Sequence, residues 1–174
     1  MSEGFSPGNR GGVTARFDAE EVAVLRSLVA QILELVEPGK AGDDPLERAL
    51  GIGPAEQPTD PVLARLFPAA YADREMSAEF RRYTEVGLRE GKRADARTLL
   101  ETAVPGRVEL EHEQALAWMR ALNDVRLALG TRLEVTEEVH DEIAGMPEDD
   151  PRYPAYVTYD WLTYLQDSLV RALW

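Results

Sequence analysis

Two Glu-x-x-His spacings are the most specific chemical pattern among the residue types of this chain. They join Glu109 to His112 and Glu137 to His140. On a helix, this spacing places a carboxylate and an imidazole on one face, as in carboxylate-bridged di-iron bundles. Because 32 of the 174 residues are acidic, the spacing arises by chance for roughly one His in five. We therefore expect solvated side chains here, and the alternative is a metal- or small-ligand-binding helical bundle that uses His112, His140 and Glu137.

A second candidate is a polar row beside the apolar stripe of segment 111–133. The row contains Asn123 and Arg126, whose amide and guanidinium groups need partners when they lie next to a core. These groups either anchor a ligand or link the segment to Asp160 or Gln166 near the C-terminus. Because most buried polar groups are hydrogen-bonded within the protein, we favour the link and treat Asn123, Arg126 and Asp160 as a candidate polar cluster.

Basic residues outnumber acidic ones only in the stretch 74–97. Seven Lys or Arg residues stand beside five acids there, a local excess of two positive charges. We interpret the stretch as a helix surface with ion pairs rather than a nucleic-acid interface. Within it, Arg89 and Arg93 are candidate contacts for an acidic partner. Tyr159 and Tyr164 extend this candidate partner surface, because aromatic residues are enriched where proteins bind each other.

The acidic residues are also concentrated. Eight of them, and no Lys or Arg, lie between Glu134 and Asp150, and the Asp-x-Asp-x-Asp-Gly pattern of a calcium loop is absent. We interpret the stretch as a solvated acidic surface. The formal charge of the whole chain is −13, so the molecule repels nucleic-acid backbones and direct nucleic-acid binding is not expected.

Several kinds of chemistry are excluded by what the chain lacks. Without Cys there is no thiolate metal site, catalytic thiol or disulfide. The sequence also has no Gly-x-x-x-x-Gly-Lys phosphate loop, no Gly-x-Gly-x-x-Gly turn and no Gly-x-Ser-x-Gly elbow. We therefore expect neither an enzyme nor a cofactor. The most apolar stretch, residues 22–36, is too often interrupted by polar residues to span a membrane.

The elements that must position these residues are mainly helical. Asp18 begins the first long apolar pattern with a capping box, and Asp44 and Asp60 each precede a Pro that begins a short helix. A longer pattern begins at Ser77 and is interrupted near Gly91, where we expect a bend or a break. Further helical patterns cover 111–133 and 156–174.

The remaining segments complete a simple architecture. Alternating apolar residues predict two short strands, at 13–17 and 107–110, which pair as a ribbon. Residues 1–12 are small and polar, which predicts a disordered N-terminal arm. The chain is thus expected to form a mainly α single domain over 13–174, a bundle of about four to six helices with a small two-stranded β ribbon.

Four short strings carry a resemblance to a known family. They are RVEL at 107–110, AW at 117–118, ALNDVRLALGTRL at 121–133 and YDWLTYLQDSLV at 159–170. Together they resemble an actinobacterial family of domains of unknown function that includes the oxidative-stress transcriptional regulator AosR. The resemblance extends over nearly the whole chain after the N-terminal arm, and none of the strings is a catalytic signature.

The resemblance implies a cytoplasmic regulator of transcription that acts through a protein partner, notably a sigma factor or the RNA polymerase machinery under oxidative stress. The switch of the family's regulator is a disulfide within a Cys-x-x-x-Cys pair near the N-terminus. This chain has no Cys, so no redox residue carries over and we expect regulation without that thiol switch. A homodimer formed through the aromatic C-terminal helix and Trp174 is a further alternative.

Overall fold

The computed structural model describes residues 3–37 and 45–174, apart from the side chain of Arg48. Seven helices and three strands lie in this part of the chain. The strands are β1 (Ser6–Pro7), β2 (Val13–Phe17) and β3 (Gly106–Leu110). The helices are α1 (Ala19–Leu35), α2 (Pro45–Ala49), α3 (Pro61–Leu66), α4 (Arg74–Thr102), α5 (His112–Arg132), α6 (Val139–Gly145) and α7 (Tyr153–Leu173). The mainly α fold is confirmed, and the helix count exceeds the expected four to six because α6, which lies in the stretch interpreted as an acidic surface, was not predicted.

The sheet has three antiparallel strands in the order β1-β2-β3. The predicted ribbon is present, with Val13 opposite Leu110 and Phe17 opposite Gly106. A third strand that the sequence did not predict pairs Ser6 with Thr14. Strands β1 and β2 pack against α7 and β3 packs against α5, and Phe17 of β2 is buried in the core.

The N-terminal segment is ordered from residue 3 onward, so the expected disordered arm is wrong for residues 3–12. Phe5 is 6% exposed, and its ring meets those of Phe17 and Trp118 edge-on at 5.8 and 5.7 Å. The Phe5 amide donates to the hydroxyl of Ser168 at 3.0 Å. A small and polar composition predicted disorder, but the buried Phe5 ring, the pairing of β1 with β2 and the hydrogen bond to Ser168 together hold this short segment against the core.

The helix starts follow local capping. The Asp18 capping box and the Asp60 cap are both present, whereas Asp44 lies outside the described residues. Helix α4 begins after Asp73, whose side chain accepts from the Met76 amide at 2.9 Å, and it continues through Gly91 without the expected break. One glycine costs only about 1 kcal/mol in a helix, which the packing of a 29-residue helix offsets.

Helix α5 lies at the centre of the bundle, as its broad apolar stripe predicted. Trp118 and Leu122 are fully buried, and α5 packs against α1, α3, α4 and α7. Among the residues that the structure describes, no helix is long and apolar enough to cross a membrane.

Candidate functional site

The two histidines lie at opposite ends of the bundle. His112 begins α5, where its Nδ1 lies 3.1 Å from the carbonyl oxygen of Gly11. His140 lies on α6, beyond the other end of α5, with its Nδ1 2.9 Å from a carboxylate oxygen of Asp160. The 21 residues of α5 span about 30 Å, so His112, His140 and Glu137 do not form one metal site. In the described part of the chain, no three His, Cys, Asp or Glu side chains are placed to share a metal ion.

Arg126 makes the predicted link between α5 and the last helix. Its guanidinium donates to Gln166 at 2.5 Å and to the Thr163 hydroxyl at 3.1 Å. Its carbon atom Cζ lies 5.7 Å from the centre of the Tyr159 ring. Asp160, the other expected partner, instead contacts His140. The guanidinium is therefore held within the bundle by α7.

Asn123 is separated from Arg126 and lines a different space. It borders a cleft of about 600 Å³ between α4 and α5, which Gly87, Lys92 and Gln166 also line. The predicted cluster is thus divided, because Arg126 and Asp160 line a second cleft of about 620 Å³ together with His140 and Tyr164, whereas Asn123 does not. The cleft at Asn123 and the cleft at Arg126 are both open to a small ligand.

A charged pair that sequence reasoning missed lies in the same cleft. Asp124 is 2% exposed and accepts from the Lys92 ammonium at 2.7 Å. Burial raises the pKa of Asp124 above its usual value of 3.8, and the hydrogen bond from Lys92 opposes that shift. The only signal in the sequence was an acid between the apolar residues Leu122 and Val125. A buried carboxylate with one cationic partner is the most strongly desolvated acid of the cleft.

This raised pKa predicts a specific pH dependence of stability. The folded state binds the Asp124 proton more tightly than the unfolded chain does, so the free energy of unfolding falls as pH rises from the usual value of 3.8 through the raised pKa. In Asp124→Asn this fall should vanish, because the amide of asparagine does not titrate. Urea unfolding at a series of pH values measures this dependence of the free energy of unfolding on pH.

The matched control for this prediction is Asp141→Asn. Asp141 is exposed on α6 and has no ion pair among the described residues, so that variant should keep the pH dependence of the unchanged protein. Identical profiles for the Asp124→Asn variant and the unchanged protein would contradict the assignment of the fall to Asp124.

The basic side of α4 is largely occupied by contacts within the chain. Arg89 is 12% exposed, lies 4.7 Å from the centre of the Phe67 ring and donates to the Glu37 carbonyl oxygen at 3.1 Å. Arg93 approaches the Glu37 carboxylate at 3.8 Å. The expectation of a helix surface with ion pairs is therefore met. Arg89 and Arg93 are engaged with Glu37 and Phe67, and their role as contacts for an acidic partner stays a prediction.

The two tyrosines of the candidate partner surface also have contacts within the chain. Tyr159 faces the Arg126 guanidinium. Tyr164 is 45% exposed, but its hydroxyl donates to the carbonyl oxygen of Glu3 at 2.8 Å. Both residues thus help to hold the bundle and its N-terminal segment, and only the Tyr164 ring keeps a large exposed area.

A buried ion pair lies inside the N-terminal half of α4. Arg81 and Glu85 are 6% and 2% exposed and are 3.2 Å apart. Arg81 also donates to the carbonyl oxygen of Phe67 at 3.0 Å. The second oxygen of Glu85 has no hydrogen-bond partner among the described residues, and its nearest cation is the Arg89 guanidinium at 4.0 Å. In the N-terminal half of α4, the side of the helix that faces the core therefore carries charged residues.

The predicted acidic surface lies on α6 and on the chain segments beside it. Asp150 is paired with Arg152 at 2.9 Å, and that guanidinium lowers the pKa of Asp150 to about 2. The other seven acids of the stretch have no ion pair with any residue that the structure describes. Uncompensated negative charge is therefore concentrated on this edge of the molecule.

The chain is similar to one domain family and to several named proteins. The profile of a domain family described as Domain of unknown function (DUF2017) matches residues 2–173. The chain is 36% identical over 173 residues to the putative oxidative stress regulator AosR of Mycobacterium leprae, with 88% of this chain and 78% of that protein covered. It is 34% identical over 174 residues to the oxidative stress regulators AosR of Mycobacterium bovis and Mycobacterium tuberculosis, with the same coverage. No solved structure matches the chain.

Proposed function

Because the chain belongs to the DUF2017 family, we propose that it is a non-enzymatic, cytoplasmic regulator of transcription that acts by binding a protein partner. The observation that carries the proposal is the identity of 34–36% to proteins named oxidative stress regulators, over 88% of this chain. The partner that the family resemblance favours is a sigma factor or another component of the RNA polymerase machinery. With no Cys in the chain, the regulation proceeds without a thiol switch.

The charge distribution supports a basic partner. Seven unpaired acids lie on or beside α6, whereas the basic residues Arg89 and Arg93 are occupied inside the chain. Sigma factors and polymerase subunits carry basic surfaces that bind nucleic acid, and a protein with a formal charge of −13 is attracted to such surfaces. We therefore assign the docking of the partner to the edge formed by α6 and its flanking segments.

Small-ligand binding is the second candidate function, and the cleft of about 600 Å³ beside Asn123 favours it. The carboxylate and the ammonium in that cleft already bind each other. A ligand would therefore have to compete with the pair or use the Asn123 amide alone. The regulatory proposal ranks first because the named relatives support it directly.

Capture from an actinobacterial lysate at low and moderate salt tests the proposal. The unchanged protein should retain a sigma factor or a polymerase subunit, identified by mass spectrometry, and retention should weaken as salt rises. A variant that replaces four exposed acids of the α6 edge should bind the captured partner about tenfold less tightly. Its substitutions are Glu137→Gln, Glu138→Gln, Asp141→Asn and Glu142→Gln.

A second variant provides a matched control for overall charge. It replaces four other exposed acids, by Glu20→Gln, Glu34→Gln, Glu56→Gln and Glu113→Gln. Both variants remove four negative charges from the total of −13, so a difference between them reports the position of the charge. Recovery of no sigma factor or polymerase subunit at either salt concentration would count against the proposed function. Equal weakening in both variants would count against docking through α6.

A further inference from the structure

The N-terminal half of α4 has its apolar and charged faces reversed. Met76, Phe80 and Tyr83 are 53%, 44% and 62% exposed, while Arg81 and Glu85 point into the bundle. The three apolar residues follow each other at intervals of four and three positions, so they form one stripe along the outside of the helix. The Tyr71 ring packs against that of Phe80, with centroids 5.8 Å apart, but all three residues of the stripe keep a large exposed area, and an exposed apolar stripe on a surface helix marks an interface.

The same stripe continues into the C-terminal half of α4 with small residues. The next positions on this face are Gly87, Gly91, Ala94 and Thr98. Gly87, Gly91 and Ala94 line the cleft between α4 and α5. A Cβ atom added at Gly87 or Gly91 would meet no atom within 4 Å, so no described residue packs directly on either glycine, and a second copy that contacts this face would also close the cleft. Each glycine costs about 1 kcal/mol relative to alanine in a helix, and packing within the chain does not require either of them.

We propose that this face of α4 is the interface of a homodimer, in which α4 packs antiparallel against α4 of a second copy, with the two-fold axis at Gly87. In that arrangement each large residue of one copy lies opposite a small residue of the other. Met76 faces Thr98, Phe80 faces Ala94 and Tyr83 faces Gly91, and the reverse pairs occur on the other side of the axis. Glycine at the crossing point lets the two backbones approach closely.

The charges beside the stripe complement each other in the same register. Glu79 and Arg97 lie on one flank of the stripe, both are exposed, and neither has an ion pair among the described residues. A two-fold axis perpendicular to the helices places this flank of both copies on the same side of the interface. Glu79 of each copy therefore lies near Arg97 of the other. A parallel pair would instead place Phe80 against Phe80 and would put the two copies of this flank on opposite sides of the interface, where Glu79 and Arg97 of different copies do not meet.

These two features identify the occupant as a second copy rather than the helix of another protein. When the face is rotated by 180° about the axis at Gly87, its large residues meet small ones and its acidic residue meets a basic one. Such self-complementarity is the condition for an isologous contact. The stripe from Met76 to Thr98 extends over about 33 Å, long enough for several turns of each helix to interlock. This inference does not depend on the proposed regulatory role.

The mass of the protein in solution is the first test. Sedimentation equilibrium of the full chain should show a species of twice 19.4 kDa. Tyr83→Glu should raise the dissociation constant at least about a hundredfold because it buries an unpaired charge, and Tyr83→Phe should leave it nearly unchanged. Because Tyr83 is 62% exposed, both variants should retain the circular dichroism spectrum of the unchanged protein.

Cross-linking tests the antiparallel register, because a chain without Cys has no background reaction. Gly87→Cys places two thiols beside the axis, close enough for a disulfide between copies. Met76→Cys places its two thiols about 33 Å apart, so it should cross-link only when it is mixed with Thr98→Cys. Mild oxidation followed by electrophoresis without reductant measures both results.

Three outcomes would overturn the inference. The first is a protein that remains monomeric at every concentration used in sedimentation equilibrium. Cross-linking of Met76→Cys with itself as readily as Gly87→Cys would show a parallel contact. Dissociation by Trp174→Asp but not by Tyr83→Glu would transfer the interface to the C-terminal helix, where Trp174 is 78% exposed.

Discussion

Replacing Glu85 by alanine is expected to lower the free energy of unfolding by about 3 to 5 kcal/mol. Glu85 is 2% exposed and accepts a hydrogen bond from Arg81 at 3.2 Å. Without that carboxylate, the guanidinium of Arg81 remains buried with the Phe67 carbonyl oxygen as its hydrogen-bond acceptor in the described part of the chain. A buried guanidinium that loses its counter-ion can neither hydrate nor give up its proton. The lost interaction therefore lowers the stability of the folded state without compensation.

Urea unfolding at one fixed protein concentration measures this effect. Glu34→Ala is the control, because Glu34 is exposed on α1, and it should change stability by less than about 0.5 kcal/mol. The double variant Arg81→Met with Glu85→Leu should lose less stability than Glu85→Ala alone, since apolar residues remove both buried charges together. A single variant no less stable than the Glu34→Ala control would contradict the assignment of a buried pair.

Replacing Trp118 by alanine is expected to cost about 3 to 5 kcal/mol as well. Trp118 is fully buried in α5, its ring stacks on Phe17 at 5.8 Å, and its indole nitrogen donates to the Thr102 hydroxyl at 2.7 Å. Phe5 packs on the same ring. The substitution should therefore also release the N-terminal segment, because its only buried aromatic residue would face a cavity.

Two measurements separate the global effect from the local one. Urea unfolding gives the stability of Trp118→Ala against Trp174→Ala, whose exposed side chain should contribute less than about 0.5 kcal/mol. Hydrogen exchange of the amides in residues 3–12 should become faster in Trp118→Ala under native conditions. Unchanged protection of these amides would show that the aromatic contact does not hold the segment.

Local rules predicted the parts of the fold that depend on neighbouring residues. The caps at Asp18 and Asp60 were predictable because a side chain there bonds an amide two or three positions later. The strand pair was predictable because the alternation of apolar residues in β2 and β3 specifies which side is buried. The link from Arg126 to Gln166 followed from the rule that buried polar groups find partners.

The features that the sequence did not predict depend on tertiary packing. Apolar spacing ordinarily directs residues such as Phe80 and Tyr83 to the core, yet the structure places charged residues of α4 there. Only its position between Leu122 and Val125 distinguishes Asp124 from the exposed acids of the chain, because its burial depends on the packing of α4 against α5. The same is true of Phe5, whose neighbours Phe17 and Trp118 are brought to it only by the assembled sheet and bundle.

The contact between the N-terminal segment and α7 has a consequence for biosynthesis. The Phe5 amide and the Ser168 hydroxyl that it binds are 163 positions apart. A chain is synthesised from its N-terminus, and contacts between distant positions require the closure of a long loop. Among the described elements, β1 is therefore the first strand to be synthesised, and it reaches its place in the fold only after α7, the last of these elements, has been made.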